Sequence, residues 1–267
     1  MLCKTSLKSS TKDNLIFVFF NGFGSDYHFW DEILPYFARD NYVLLSENYF
    51  NSPEDYDSEY LKKIFQGRQL IGVGHSLGYH KLCDLNQKYD FFNLKKIVSV
   101  EGFSCYLGKS EPMKTIRKFY LDFMKSCYFF YPEVTLFNFM AMCGAPMTEL
   151  PSQLDQKKLM SDLQLLYSGI DSPKIPHLVL SSLDDWVIPF NIIEDNFRNL
   201  DDVKIVYTTG VSHLLGMRLP EYVSNEIKNF IEDSHKINEN HTRKNVWNIK
   251  RIEIEYFCVQ LYVSCFL

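Results

Sequence analysis

Ser76 stands between two glycines in the run Gly74-His75-Ser76-Leu77-Gly78, directly after the apolar stretch Leu70-Ile71-Gly72-Val73. That pattern reads as a strand breaking sharply into a helix, with a serine hydroxyl exposed at the apex of the turn. A hydroxyl is a poor nucleophile until an imidazole can take its proton, and the imidazole needs a carboxylate to fix its tautomer. Further along, the apolar run 177–180 leads into Ser181-Ser182-Leu183-Asp184-Asp185-Trp186-Val187-Ile188-Pro189. The run 203–207 leads into Thr208-Thr209-Gly210-Val211-Ser212-His213. The chain therefore offers serine, acid and histidine in that order, each just beyond an expected strand. Such a set can attack a carbonyl carbon and pass through an acyl-enzyme.

Groups so far apart in sequence need a scaffold that brings strand ends together. Leu15–Phe20 is short, apolar and aromatic, and it stops at Asn21-Gly22, as a strand buried on both faces would. Similar runs at 42–45, 70–73, 96–100, 177–180 and 203–207 predict five more strands. Helical patterns are expected over 31–37, 77–89 and 221–233. Short apolar strands alternating with helices imply βαβ units and an α/β fold with a mainly parallel sheet of about six or more strands. The alternation breaks over 104–172, which is rich in aromatics and methionines and carries Pro112, Pro132, Pro146 and Pro151. The expected organisation is a core of 1–103 and 173–233, a helical lid insertion of 104–172, and a C-terminal extension of 234–267. A lid would sit over the strand ends, where open α/β sheets place their ligands. In the extension, 234–245 is a polar linker and 251–257 alternates like a strand.

Composition narrows the partners. The net charge of −5 excludes a global attraction to nucleic acid. Seven scattered cysteines without a C-x-x-C pair fit reduced thiols better than a disulfide framework or a zinc site. The apolar run after the polar start is too short for a signal peptide, and no stretch is long and apolar enough to span a bilayer. A cytoplasmic, monomeric enzyme needing neither metal nor organic cofactor is expected.

The elbow and the order of the three groups resemble those of α/β-hydrolase-fold serine esterases over roughly residues 15–233, the insertion apart. In that family the acid commonly lies four residues before a proline, which favours Asp185, four before Pro189, with Asp184 the alternative. The resemblance implies an oxyanion hole built from the backbone N–H groups of Leu77 and of Phe23, in the loop Asn21-Gly22-Phe23-Gly24. This loop resembles the family's H-G-x-G segment, with asparagine in place of histidine, which puts the loop's hydrogen-bonded support in doubt. His75 is expected to pack or position rather than react. The stretch from Asn21 to Trp30, with an aromatic after the first glycine and a closing tryptophan, is similar to that of pimeloyl-[acyl-carrier-protein] methyl ester esterases of biotin synthesis. Those enzymes meet an acidic carrier protein through basic lid side chains, and Lys114, Arg117, Lys118 and Lys125 fall on one helix face here. The elbow departs from that family in having His75 where an aromatic is usual and Tyr79 where a small residue is. The substrate expected is thus a small-molecule or carrier-bound ester. An acyl thioesterase with the same three groups and a non-catalytic binding module remain as alternatives.

Overall fold

The computed structural model describes residues 2–7, 14–50, 57–145 and 153–232. Pro146, Pro151 and the 234–267 extension lie outside the described residues. Seven strands form one sheet: β1 (Leu2–Ser6), β2 (Leu15–Phe20), β3 (Tyr42–Ser46), β4 (Gln69–His75), β5 (Leu94–Val100), β6 (His177–Ser182) and β7 (Val203–Thr208). The order across the sheet is β1-β3-β2-β4-β5-β6-β7; β1 pairs antiparallel with β3 and every other pair is parallel. The helices are α1 (Ser58–Phe65), α2 (Leu77–Lys88), α3 (Glu111–Phe130), α4 (Pro132–Cys143), α5 (Gln156–Leu165), α6 (Phe190–Phe197), α7 (Leu215–Arg218) and α8 (Pro220–Glu232).

The apolar strands are continuous runs because both faces of the sheet are covered. In β2, Ile16, Val18 and Phe20 pack into one core layer with Leu77, Leu82 and the α3 residues Leu121 and Met124. Phe17 and Phe19 point the other way, into a layer with Trp30, Phe37, Val98, Leu178 and Val223. The alternation sends neighbours to opposite faces, so one strand feeds both cores.

One expectation is corrected. The segment 31–37 is not an α-helix; two short 3-10 turns stand in this region, Tyr27–Trp30 just before it and Leu34–Phe37 within it. Asp26 caps the first by accepting from the His28 N–H, and Pro35, which has no N–H to give, opens the second. The polar start of the chain is also a strand: β1 lies at the sheet edge, where only one neighbour has to be satisfied. Between β5 and β6 the chain runs through α3, α4 and α5, with α3 packed on both α4 and α5. In parallel strands all C-terminal ends share one edge, so the loops after β2, β4, β5, β6 and β7 converge there.

Candidate active site

Ser76 follows β4 and precedes α2 with φ 53° and ψ −123°, a conformation that costs a residue with a side chain about 1–3 kcal/mol. The flanking glycines make the turn possible. A Cβ on Gly74 would lie 2.4 Å from the Tyr79 nitrogen, and one on Gly78 would lie 2.1 Å from the Phe20 carbonyl oxygen. Both contacts are backbone, so nothing there could give way. The Ser76 N–H donates to the Val100 carbonyl at 3.0 Å, tying the elbow to the end of β5.

The loop after β6 brings Asp185 to His213, which lies on the loop after β7. Asp185 Oδ2 is 2.7 Å from His213 Nδ1, and both side chains are buried. Its other oxygen accepts from the N–H groups of Val187 and Ile188, at 2.8 and 2.9 Å. Asp184 is exposed and accepts from the Gly210 N–H, so it supports the histidine loop without touching the imidazole. Ser212, directly before His213, also has a positive φ, 51°. Ser76 and His213 line the same cavity. No hydrogen bond joins them among the described residues, and such bonds are often long before substrate binds.

Two further groups meet behind the histidine. His75 stacks on Phe29, ring centroids 4.0 Å apart, and its Nε2 lies 3.3 Å from the His213 carbonyl oxygen. Burial, followed by the nearness of His213, pushes its pKa well below the usual histidine value. Glu101, one residue beyond β5, is fully buried with φ 53°; its Oε2 accepts from the Leu215 N–H at 3.0 Å and lies 3.7 Å from His75 Nε2. Burial, and secondly the charge of Asp185, push its pKa well above the usual carboxylate value. Sequence reasoning missed Glu101. The available signal was an acid directly after the run 96–100, at the edge where the strand ends gather. His75, Glu101 and His213 bring potential metal donors within 4.8 Å of one another; Asp185 takes His213 Nδ1 and the Leu215 N–H donates to Glu101 Oε2, while His75 Nδ1 and Glu101 Oε1 have no partner among the described residues.

The loop after β2 packs directly on the elbow: a Cβ on Gly22 would meet His75 Nδ1 at 2.9 Å and Ser76 Cβ at 3.0 Å. The asparagine substitution leaves this loop supported, since Asn21 Nδ2 donates to the Ser25 carbonyl at 2.7 Å and to Ser25 Oγ at 3.1 Å. Phe23 separates two cavities that meet at Ser76. One, about 200 Å³, lies beneath α3 and α4 and includes Leu77, Phe103, Leu121 and Met124, with no charged side chain among the described residues of its wall. Its rim carries the exposed Tyr131, Val134 and Trp186. The other, about 260 Å³, holds His213, His75, Asp26 and His28. A carbonyl carbon at Ser76 would therefore have an apolar channel on the Leu77 side and the imidazole on the other.

The four basic residues do not form one surface. Arg117 is buried on the inner stripe of α3 with Leu121, Met124 and Tyr128, donating to the Leu107 carbonyl at 3.1 Å and to Asn191 Oδ1 at 2.7 Å. Lys114 and Lys118 are exposed, Lys114 beside Glu111, while Lys125 reaches Gln164 at 2.8 Å. Helical spacing alone put the four on one face, but Arg117 shares the buried stripe of α3 and packs inward.

No protein-family profile and no curated protein matches the sequence. Solved structures do match over most of the chain. A lipase-esterase related protein from Clostridium acetobutylicum superposes with a TM-score of 0.62 at 16% identity, covering 86% of this chain and all of its own. MenH from S. aureus gives 0.64 at 14%, covering 88% and 99%, and a bromoperoxidase from Bacillus anthracis gives 0.66 at 15%, covering 86% and 95%. The chain has the α/β-hydrolase fold.

Proposed function

We propose that this protein is a serine carboxylic ester hydrolase in which Ser76 attacks the ester carbonyl, His213 is base and then acid, and Asp185 orients His213. The observation that carries the reading is the buried Asp185–His213 pair, 2.7 Å apart, sharing a cavity with a serine held at positive φ. The hydroxyl proton passes to the imidazole, the tetrahedral oxyanion takes hydrogen bonds from the Phe23 and Leu77 N–H groups, and the imidazolium protonates the departing alkoxide. Water, activated by the same imidazole, then releases the acid.

The two cavities divide the substrate. The leaving oxygen must lie within reach of His213, so the alcohol belongs on the His213 side and the acyl chain in the uncharged channel beneath α3 and α4. The α3–α5 segment then acts as a lid. A chain longer than the channel would emerge at Tyr131, Val134 and Trp186, and the exposed face of α3 carries Lys114 and Lys118. That suits a pimeloyl-type acyl group carried by an acidic protein and ending in a methyl ester, in keeping with the biotin-synthesis resemblance of the segment from Asn21 to Trp30.

A panel of p-nitrophenyl acyl esters, acyl-CoA thioesters and a methyl-pimeloyl carrier protein tests both levels of the reading. Ester turnover with fluorophosphonate labelling that vanishes in Ser76→Ala is the expected result; labelling that persists in Ser76→Ala overturns it. Preference for the carrier-bound methyl ester supports the finer substrate, and indifference to the carrier leaves a small-molecule esterase.

A further inference from the structure

The described residues place a second carboxyl group at the site that the three-group scheme does not use. Glu101 has no exposed surface, and it holds a positive φ that an acidic residue adopts only under constraint from its surroundings. The constraint is visible on both sides. Its N–H donates to the Leu180 carbonyl at 2.7 Å, and the next residue must be glycine-sized, since a Cβ on Gly102 would lie 2.6 Å from the Tyr79 side chain. Its carboxyl reaches across to the histidine loop, where it holds the Leu215 N–H, two residues past His213. Its second oxygen, Oε1, is buried with no hydrogen-bond partner, an expensive arrangement for a residue with only a structural task.

We propose that Glu101 is a second acid of this site: it positions the His213 loop while Asp185 is charged, and it becomes the counter-ion of the His213 imidazolium when Asp185 is removed. The inference rests on the Ser76–His213–Asp185 reading. Its basis is that the Glu101 carboxyl and the His213 ring present their donor atoms within 4.8 Å of each other, with His75 completing the group. Burial first, and the charge of Asp185 second, push the Glu101 pKa well above the usual carboxylate value and disfavour a second anion beside Asp185. Without Asp185 that repulsion is gone. Glu101 then releases its proton to solvent, and the imidazolium formed when His213 takes the Ser76 proton faces the resulting carboxylate. The ionisable groups that face Glu101 are His75 at the end of β4, Asp185 after β6, His213 after β7 and Cys143 of α4. Burial pushes the His75 pKa well below its usual range and the Cys143 thiol well above its own, so neither favours its charged form beside Glu101.

The test is a set of variants assayed for p-nitrophenyl ester hydrolysis from pH 5 to 9, with melting temperatures taken throughout. Removing the acid of such a triad commonly costs about 10⁴-fold in kcat. Asp185→Ala is expected to lose only about 10²- to 10³-fold, less than that full loss because Glu101 is present. Its residual rate should rise with pH as Glu101 ionises. Asp185→Ala with Glu101→Gln should lose a further tenfold or more, and the rising limb should vanish. In the Asp185 background, Glu101→Ala should lower kcat with little change in KM. Glu101→Gln should recover most of that loss, because its amide oxygen still accepts from Leu215. Equal residual rates and profiles in Asp185→Ala and the double variant, both folded, overturn the second-acid role. Equal losses in Glu101→Gln and Glu101→Ala overturn the positioning role. Full activity in Asp185→Ala with Glu101→Gln would instead sink the underlying assignment of Asp185, and unchanged fluorophosphonate labelling in Ser76→Ala would sink that of Ser76.

Discussion

Replacing Asp185 by asparagine should damage the enzyme more than replacing it by alanine, for a reason the hydrogen bonds dictate. Asp185 Oδ1 accepts from two backbone N–H groups, at 2.8 and 2.9 Å, and those donors stay in place in the variant. The asparagine carbonyl oxygen must face them, which turns its NH₂ toward His213 Nδ1, 2.7 Å from the present Oδ2. An amide donor there forces Nδ1 to accept, so the proton sits on Nε2, and Nε2 can no longer take the Ser76 proton. The expected loss in kcat is about 10⁴-fold, or about 5.5 kcal/mol of transition-state stabilisation. Alanine imposes no tautomer and leaves room for Glu101 to act. Asp184→Asn keeps an acceptor for the Gly210 N–H and should stay within about threefold of wild type, as expected for an exposed residue away from the imidazole. Initial rates on a p-nitrophenyl ester, normalised to folded protein, decide the matter. A loss in Asp184→Asn as large as in Asp185→Asn, or a loss below tenfold in Asp185→Asn, would refute the reasoning.

Lengthening the acyl chain should raise kcat/KM until the channel is full, by about threefold to fourfold per buried methylene, since each contributes about 0.8 kcal/mol. Leu121→Trp should shorten the preferred chain, as read from a p-nitrophenyl series. Arg117→Glu should destabilise the fold by about 3–5 kcal/mol in urea denaturation, because it strands buried acceptors, whereas Lys114→Glu with Lys118→Glu should leave stability unchanged and raise KM only for a carrier-bound ester. Glu101 keeps its proton in the native state but loses it above about pH 4.5 when unfolded, so its burial costs more stability as pH rises. Glu101→Gln should therefore melt higher than wild type at pH 8, with the gap closing toward pH 4.5. His75 and His80 act in the other direction. Both are held neutral when folded, His80 with its pKa lowered to about 4 by burial, so unfolding takes up protons below about pH 6.5 and stability falls as pH drops through that point. A melting temperature that is flat from pH 6.5 to 5 would contradict this.

Much of the architecture was legible in the residues themselves. Leu15–Phe20 and the run leading to Ser182 are continuous apolar segments, as strands of a sheet covered on both faces are, while the run leading to Thr208 is interrupted by the exposed Lys204 and forms the half-buried edge strand β7. The elbow was equally local: Gly74 and Gly78 are demanded by contacts within a few residues and with the adjacent strand. What the tertiary structure alone decided are matters of which side chains meet. Arg117 has the same helical spacing as Lys114 and Lys118, yet the Leu107 carbonyl and Asn191 draw it inward, and no pattern in α3 announces those partners. Glu101 carries no motif, and its partners His75, Asp185, His213 and Leu215 come from three separate segments. Their meeting depends on strand order and on the parallel sheet placing every loop at one edge. Local sequence sets φ, ψ and periodicity; the environment of a buried charge is a long-range property, and folding decides it.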